Sequence, residues 1–174
     1  MLNNNFKKIK FILLILFILP SCAYKHFSRN IISKKIKHPV FITMPSNSLV
    51  FENISSIFYD ILFKYYMRSG YPLSTHDKNS FKIKINLKKL EPVENFISRD
   101  LLIYNVRIGL KFDCQLFSPE NKLIAEKEFE ISRLVSVAKD PLNNSAFFDF
   151  EYKNLIQRAV LKIERYFRKY FLEN

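Results

Sequence analysis

Two hydrophobic periodicities organise the chain beyond residue 38. Apolar residues spaced three and four apart predict two amphipathic helices, over residues 52–69 and 148–172. Apolar residues at every second position predict strands, a short one over residues 39–44 and three long ones between the helices. Gly70 and Pro72 follow the first helix and are typical of a helix end.

The three long strands each place apolar side chains on one face and polar side chains on the other. The predicted spans are residues 81–90, 105–116 and 122–135, with loops over 91–101, starting at Glu91-Pro92, and over 136–147. The apolar face of the third strand comprises Leu123, Ala125, Phe129, Ile131 and Val135. Lys127 and Arg133 interrupt that face, which indicates a bulge, an edge strand or a contact site.

The order of elements is strand, helix, three strands in a meander, helix. Runs of strands followed by a helix favour an α+β fold, with two helices packed on one face of a mixed, roughly four-stranded sheet. The opposite face of that sheet would then be lined by lysine and arginine side chains. With 174 residues, the chain is long enough for one domain.

The first 21 residues have the three parts of a secretory signal. Lysines at positions 7, 8 and 10 precede a nine-residue apolar core, Phe11 to Leu19, and small Ser21 ends the segment. The core is too short to span a bilayer, which needs about 20 apolar residues. Residues 1–21 are therefore predicted to be a signal peptide.

Residues 19–22, Leu-Pro-Ser-Cys, resemble a bacterial lipobox. That resemblance implies that Cys22 is the first mature residue, that its thiol receives a diacylglyceryl group, and that its amine is open to acylation. Two or three chains give stable anchoring where one is marginal. Ala23 in place of aspartate favours the outer membrane. Residues 22–37 would be the lipidated N-terminus and tether, and 38–174 the folded domain; an uncleaved anchor and a chance cysteine are the alternatives.

The charge is strongly basic, +12 for the whole chain. Removal of residues 1–21 takes away three lysines and no acid, so the mature chain carries +9. A field of this sign attracts phospholipid, acidic glycolipid or nucleic acid, but a secreted lipoprotein meets little nucleic acid. With only two cysteines the chain is not a disulfide scaffold, and Cys114 is predicted to be a small buried hydrophobe.

The residues give no positive indication of an enzyme, a metal site or a cofactor. The three histidines lack metal-ligand spacing, and two glycines are too few for a glycine-rich phosphate loop. Glu126, Glu128 and Glu130 share one strand face, where an acidic pair for catalysis is the alternative to a solvated face that balances nearby lysines. We therefore expect a binding protein.

Cations cluster on three predicted elements and form the candidate binding surface. Lys82, Lys84, Lys88 and Lys89 lie on the first long strand, and Arg107 and Lys111 lie on the second. A further stripe on the last helix comprises Arg158, Lys162, Arg165 and Lys169. Cross-strand neighbours are within side-chain reach, so the strand cations are expected to form one patch that binds phosphate groups. A solvated, solubilising face is the alternative.

Together these features resemble the lipopolysaccharide-assembly lipoprotein family LptE over essentially the whole chain. The resemblance comprises Cys22-Ala23-Tyr24, the segment Val40 to Pro45 leading into a helix that ends near Gly70, the strand pair 104–117 and 122–133, then Arg133, a variable loop and a terminal helix. It implies an outer-membrane lipoprotein on the periplasmic side, without enzymatic activity, that plugs and helps assemble the β-barrel LptD and binds lipopolysaccharide. The candidate lipopolysaccharide-binding residues are Lys82, Lys84, Lys88, Arg99, Arg107, Lys111, Arg133 and Lys139. A secretion-system pilot or another envelope-assembly lipoprotein, and a surface enzyme, are the competing hypotheses.

Overall fold

The computed structural model describes residues 35–47, 53–97, 103–138 and 141–173. Within them, two helices pack on one face of a mixed five-stranded sheet, which confirms the predicted α+β class. The elements in chain order are β1 (Val40–Ile42), β2 (Ser46–Asn47), α1 (Asn53–Arg68), β3 (Phe81–Ile97), β4 (Ile103–Phe117), β5 (Leu123–Ala138) and α2 (Pro141–Glu173).

Strand β3 lies at the centre of the pairing. The short strands β1 and β2 pair with it in parallel, Val40 opposite Phe81 and Ser46 opposite Asn86. On its other side β3 pairs antiparallel with β4, which in turn pairs antiparallel with β5. The sheet is therefore mixed, and β5 is an edge strand in the part of the chain that the structure describes.

The core lies between the apolar sheet face and the two helices. Alternate residues of β3 and β4 are buried as their period predicts, and Cys114 is fully buried among them. Aromatic contacts attach each helix to the sheet: Phe58 of α1 meets Phe112 edge-on at 5.5 Å between ring centroids, and Phe171 of α2 meets Phe81 at 5.3 Å. Each such buried side chain contributes about 2–3 kcal/mol relative to exposure.

Strand β3 is longer than predicted. The expected loop over 91–101 is wrong for residues 91–97, because β3 continues to Ile97 with Pro92 opposite Ile108. The last β3 residue that β2 pairs with is Leu87, so beyond it the described strand has a neighbour on one side only. Proline is tolerated in such edge positions because its missing N–H removes no ladder bond.

Helix α2 also begins earlier than predicted. The loop expected over 136–147 is wrong for residues 136–138 and 141–147, because β5 runs to Ala138 and the helix starts at Pro141. Proline suits the first helical turn, where its N–H would have no intrahelical partner, and its fixed φ favours helix initiation. The sequence prediction instead treats Asp140-Pro141 as part of a polar loop and starts the helix at about residue 148.

The hairpin between β4 and β5 explains one misplaced core residue. Its turn is closed by the Ser118 amide donating to the Lys122 carbonyl at 2.8 Å, and Asn121 has a left-handed φ of 64°. A register shift follows, so that Leu123 pairs with Phe117 on the solvent-facing row. Leu123 is consequently 51% exposed, contrary to its predicted place in the core.

Candidate functional site

Five of the predicted cations lie on the sheet face opposite the helices, which we call the outer face. They occupy the polar parity of β3 and β4, whose other parity is buried beneath the helices. The five are Lys82, Lys84, Lys88, Arg107 and Lys111. These five side chains therefore share one face of the sheet, and the side chain of Lys89, the sixth cation of the expected patch, lies outside the described part of the structure.

Acidic side chains neutralise much of this surface. Lys88 Nζ lies 2.7 Å from Asp113 and 2.9 Å from Glu128, and Lys111 Nζ lies 2.9 Å from the other oxygen of Glu128. Hydrogen bonds from Lys111 and then Lys88 lower the pKa of Glu128, and those to Asp113 and Glu128 raise the pKa of Lys88. These two lysines are thus engaged within the protein rather than open to an anion.

The other outer-face cations have different surroundings. Lys82 Nζ lies 3.2 Å from Asp77 and donates to the Asn121 side-chain oxygen at 3.1 Å, and its hydrogen bond lowers the pKa of Asp77. Lys84 lies over the Phe117 ring, 4.9 Å from its centroid. Arg107 is exposed in the row beside Leu134 of β5. Lys84 and Arg107 are therefore the outer-face cations best placed to meet a ligand.

Arg133 lies on the opposite side of the sheet. Its parity on β5 points toward helix α2, and its guanidinium donates to the Glu151 carboxylate at 2.7 Å. Glu151 is only 6% exposed, so this ion pair joins the edge strand to the helix. The structure therefore does not bring Arg133 to the outer face. Arg99, Lys139, Cys22 and the predicted signal peptide lie outside the described residues.

A second group of cations sits where β5 meets α2. Lys127 Nζ lies 4.8 Å from the Tyr166 ring centroid and 5.4 Å from that of Phe129. Lys169 Nζ lies 4.7 Å from the Tyr170 centroid and 5.8 Å from that of Tyr166. We call these five residues the seam cluster. Two features of the sequence pointed to cations at this position: Lys127, which interrupts the apolar face of β5, and the basic stripe of the last helix.

Tyr166 joins the two sides of the seam cluster. Its hydroxyl donates to the Glu126 carbonyl at 3.3 Å, and its ring meets Phe129 edge-on at 6.0 Å and Tyr170 at 6.0 Å. Desolvation, followed by the hydrogen bond with Tyr170, raises the pKa of Tyr166. The hydroxyl thus remains a hydrogen-bond donor that links the helix to the edge strand.

Helix α2 carries a buried acid that the sequence patterns did not reveal. Glu164 is 1% exposed and accepts two hydrogen bonds from Arg168, at 2.7 and 2.9 Å, and one from the Tyr71 hydroxyl at 2.6 Å. Burial, and then the hydrogen bond to Glu164, raise the pKa of Tyr71, while the hydrogen bonds to Glu164 raise the pKa of Arg168. The acid occupies a position within the apolar stripe, with arginine four residues later.

Two further properties bear on the kind of site. The described ranges contain no group of three or more histidine, cysteine, aspartate or glutamate residues arranged to hold a metal ion. No helix in the same ranges has the length and apolar character that crossing a membrane requires.

Comparison with known proteins gives similarity in structure only. No protein-family model matches the sequence, and no curated protein matches it. Among solved structures, a Xanthomonas campestris protein of family DUF330 is similar with a TM-score of 0.56 at 11% identity, covering 74% of this chain and 82% of that one. A rare lipoprotein B from Shewanella oneidensis is similar with a TM-score of 0.50 at 11% identity, covering 76% of this chain and 97% of that one. A minor lipoprotein from Acinetobacter baumannii is similar with a TM-score of 0.50 at 13% identity, covering 74% of this chain and 91% of that one.

At these identities the similarity establishes a shared fold. The α+β arrangement found here is that of proteins named lipoproteins in two Gram-negative bacteria. Coverage of 82–97% of the three solved chains means that the resemblance extends over most of each domain rather than one motif.

Proposed function

We propose that this chain is an outer-membrane lipoprotein that acts as plug and assembly partner of an LptD-type β-barrel and binds lipopolysaccharide for delivery to the cell surface. The observation that carries the proposal is the coincidence of two independent features. One is a fold shared with proteins named lipoproteins. The other is a basic start, a nine-residue apolar core and a lipobox-like segment ending at Cys22.

The lipid anchor is tested by replacing its attachment point. A Cys22→Ala variant should lose incorporation of radioactive palmitate and move from the membrane fraction to the soluble fraction, because the signal would no longer yield an acylated mature chain. A Cys114→Ala variant is the matched control, since that thiol is buried in the core, and it should keep both label and membrane association. Palmitate incorporation into the Cys22→Ala chain would contradict the anchor.

The dimensions and surface of the domain support a role as a plug. Helix α2 has 33 residues and is about 50 Å long, and the long strands of 15–17 residues span a similar length. The outer face presents lysine side chains on β3, basic and acidic side chains on β4, and glutamate side chains on β5. Such a polar, elongated domain is compatible with the polar interior of an outer-membrane β-barrel.

The partner is tested by gentle extraction. From detergent-solubilised envelopes, the affinity-tagged lipoprotein should co-purify with a barrel protein large enough to enclose it, and photo-crosslinkers at Lys84 and Arg107 should attach to that barrel. A crosslinker at buried Phe112 is the control and should give no intermolecular product. Recovery of the tagged protein as a free monomer would contradict the plug, and recovery of a secretin ring would instead identify a secretion-system pilot.

A further inference from the structure

The seam cluster contains two cations, Lys127 and Lys169, that no carboxylate neutralises in the described part of the chain. Lys82, Lys88 and Lys111 each form an ion pair with a carboxylate. In the described chain Lys127 and Lys169 contact aromatic ring faces, and neither is among the lysines that pair with an acid. A cation held over a ring keeps its N–H donors available on the side away from that ring.

We propose that the seam cluster binds the phosphate-bearing sugar portion of an anionic glycolipid. The two ammonium groups lie 4.8 and 5.8 Å from the centroid of the same ring, that of Tyr166, which limits their separation to about 11 Å, a span that one phosphorylated sugar can bridge. Each ammonium–phosphate contact is a charge-assisted hydrogen bond, and the half-buried tyrosine rings offer apolar faces to a sugar. This inference rests on the proposed function and names the surface that would hold its ligand.

The geometry favours a pre-organised site over two independent surface lysines. Rings of Phe129, Tyr166 and Tyr170 pack in sequence from β5 to α2, which fixes the spacing between the strand lysine and the helix lysine. The Tyr166 hydroxyl bond to the backbone of β5 adds a second link. Side chains already ordered in the unbound protein lose less entropy when a ligand binds.

The alternative role for Lys127 is structural, namely to prevent the edge strand β5 from pairing with another chain. An inward-pointing charge on an exposed edge discourages pairing with another chain. The two roles make opposite predictions for Lys127→Gln alone. If Lys127 only prevents edge pairing, the variant should keep its glycolipid affinity and self-associate. If Lys127 contacts the ligand, the variant should bind glycolipid more weakly and keep its oligomeric state.

The test uses the full-length lipoprotein in dodecyl maltoside and isothermal titration with lipopolysaccharide. The double variant Lys127→Gln/Lys169→Gln should bind at least about tenfold more weakly than the unmodified protein, since a factor of ten corresponds to loss of one modest charge-assisted bond. The variant Arg158→Gln/Lys162→Gln removes the same number of positive charges, both from helix α2, and should bind within about twofold. Replacement of both seam lysines by arginine should preserve binding.

The following outcomes decide the assignment. Lipopolysaccharide stripped of phosphate should bind the unmodified protein about as weakly as intact ligand binds the glutamine variant, and equal affinity for both ligands would overturn the proposal. Displacement of the glycolipid by millimolar inorganic phosphate would identify a free-phosphate site and also overturn it. Equal losses in the seam and control variants would show non-specific charge attraction. If the unmodified protein binds no lipopolysaccharide, both the proposed ligand and this inference are refuted. If the unmodified protein binds it and the glutamine double variant binds it equally well, only this inference is refuted.

Discussion

The buried carboxylate of Glu164 makes the stability of the domain depend on a single hydroxyl group. Tyr71, 4% exposed, donates to this carboxylate at 2.6 Å, and Arg168 binds it through two nitrogen atoms. The contact joins helix α2 to the segment after α1, 93 residues away in sequence. We expect Tyr71→Phe, which deletes only the hydroxyl, to destabilise the fold measurably.

The magnitude follows from the charge that remains. A hydrogen bond to a charged group contributes about 1.5–3 kcal/mol, and burial prevents water from replacing the hydroxyl. Arg168 still neutralises Glu164 in the variant, so the larger penalty of about 3–5 kcal/mol for an uncompensated buried charge does not apply. For a domain of this size, about 2 kcal/mol corresponds to a drop in Tm of about 5–10 °C.

Tyr66 is a control that differs in one respect. Its ring lies 4.6 Å from that of Tyr71 between centroids, and it is likewise fully buried. Its hydroxyl, however, has no hydrogen-bond partner in the described part of the chain. Removal of an unpaired buried polar atom leaves no partner unsatisfied, so Tyr66→Phe should be neutral or stabilising by up to about 1 kcal/mol.

Urea unfolding followed by circular dichroism measures both changes. The midpoint for Tyr71→Phe should fall with an unchanged dependence on urea, and the midpoint for Tyr66→Phe should not fall. In a Glu164→Gln background the loss caused by Tyr71→Phe should shrink, because the hydroxyl then meets a neutral acceptor. Equal losses for the two tyrosine variants, or an undiminished loss in the Gln background, would refute the assignment to the carboxylate.

Two other expectations concern titratable groups. Because hydrogen bonds lower the pKa of Glu128 below its ordinary 4.5, its stabilisation is complete above that pH and lost as the pH falls through the depressed value. The Tm of the unmodified protein should therefore fall more steeply between about pH 5 and pH 3 than that of Glu128→Gln, and parallel curves would contradict the pairing. Burial raises the pKa of Cys114, so a thiol reagent should modify it only in urea, and modification of the native thiol would refute its burial.

The core of the sheet was predictable because burial imposes a period of two. Every apolar position predicted on β4, from Val106 to Leu116, is buried. Pro92 and Pro141 caused the two errors in element boundaries. Each proline indicates a break in the local pattern, although one lies on an edge and the other at a helix start, where proline is tolerated. That distinction depends on where the neighbouring strands and helices lie, which a local sequence pattern does not show.

The candidate site was less predictable, because charge pairing depends on register. The sequence placed Lys84 and Lys88 on one face correctly, but the bulge at Leu87/Lys89 and the pairing of β4 with β5 determine which lysine meets Asp113 and Glu128. These contacts join residues 25 to 40 positions apart in sequence. Short-range periodicity therefore identifies which residues are exposed, and only the tertiary fold identifies which exposed cations remain unneutralised.

The positive charge of the mature chain lies in two regions, the tether and the folded domain. Of the net +9 expected for the mature chain, five charges belong to Lys25, Arg29, Lys34, Lys35 and Lys37, which have no acid among them. Residues 38–174 therefore carry only +4, and on the outer face acids offset much of the lysine charge. Cations next to an acyl anchor contribute about 1 kcal/mol each near an anionic membrane surface. With Cys22 acylated, the tether charge would favour the membrane, and ligand recognition would depend on the few domain cations, such as those of the seam cluster, that no carboxylate neutralises.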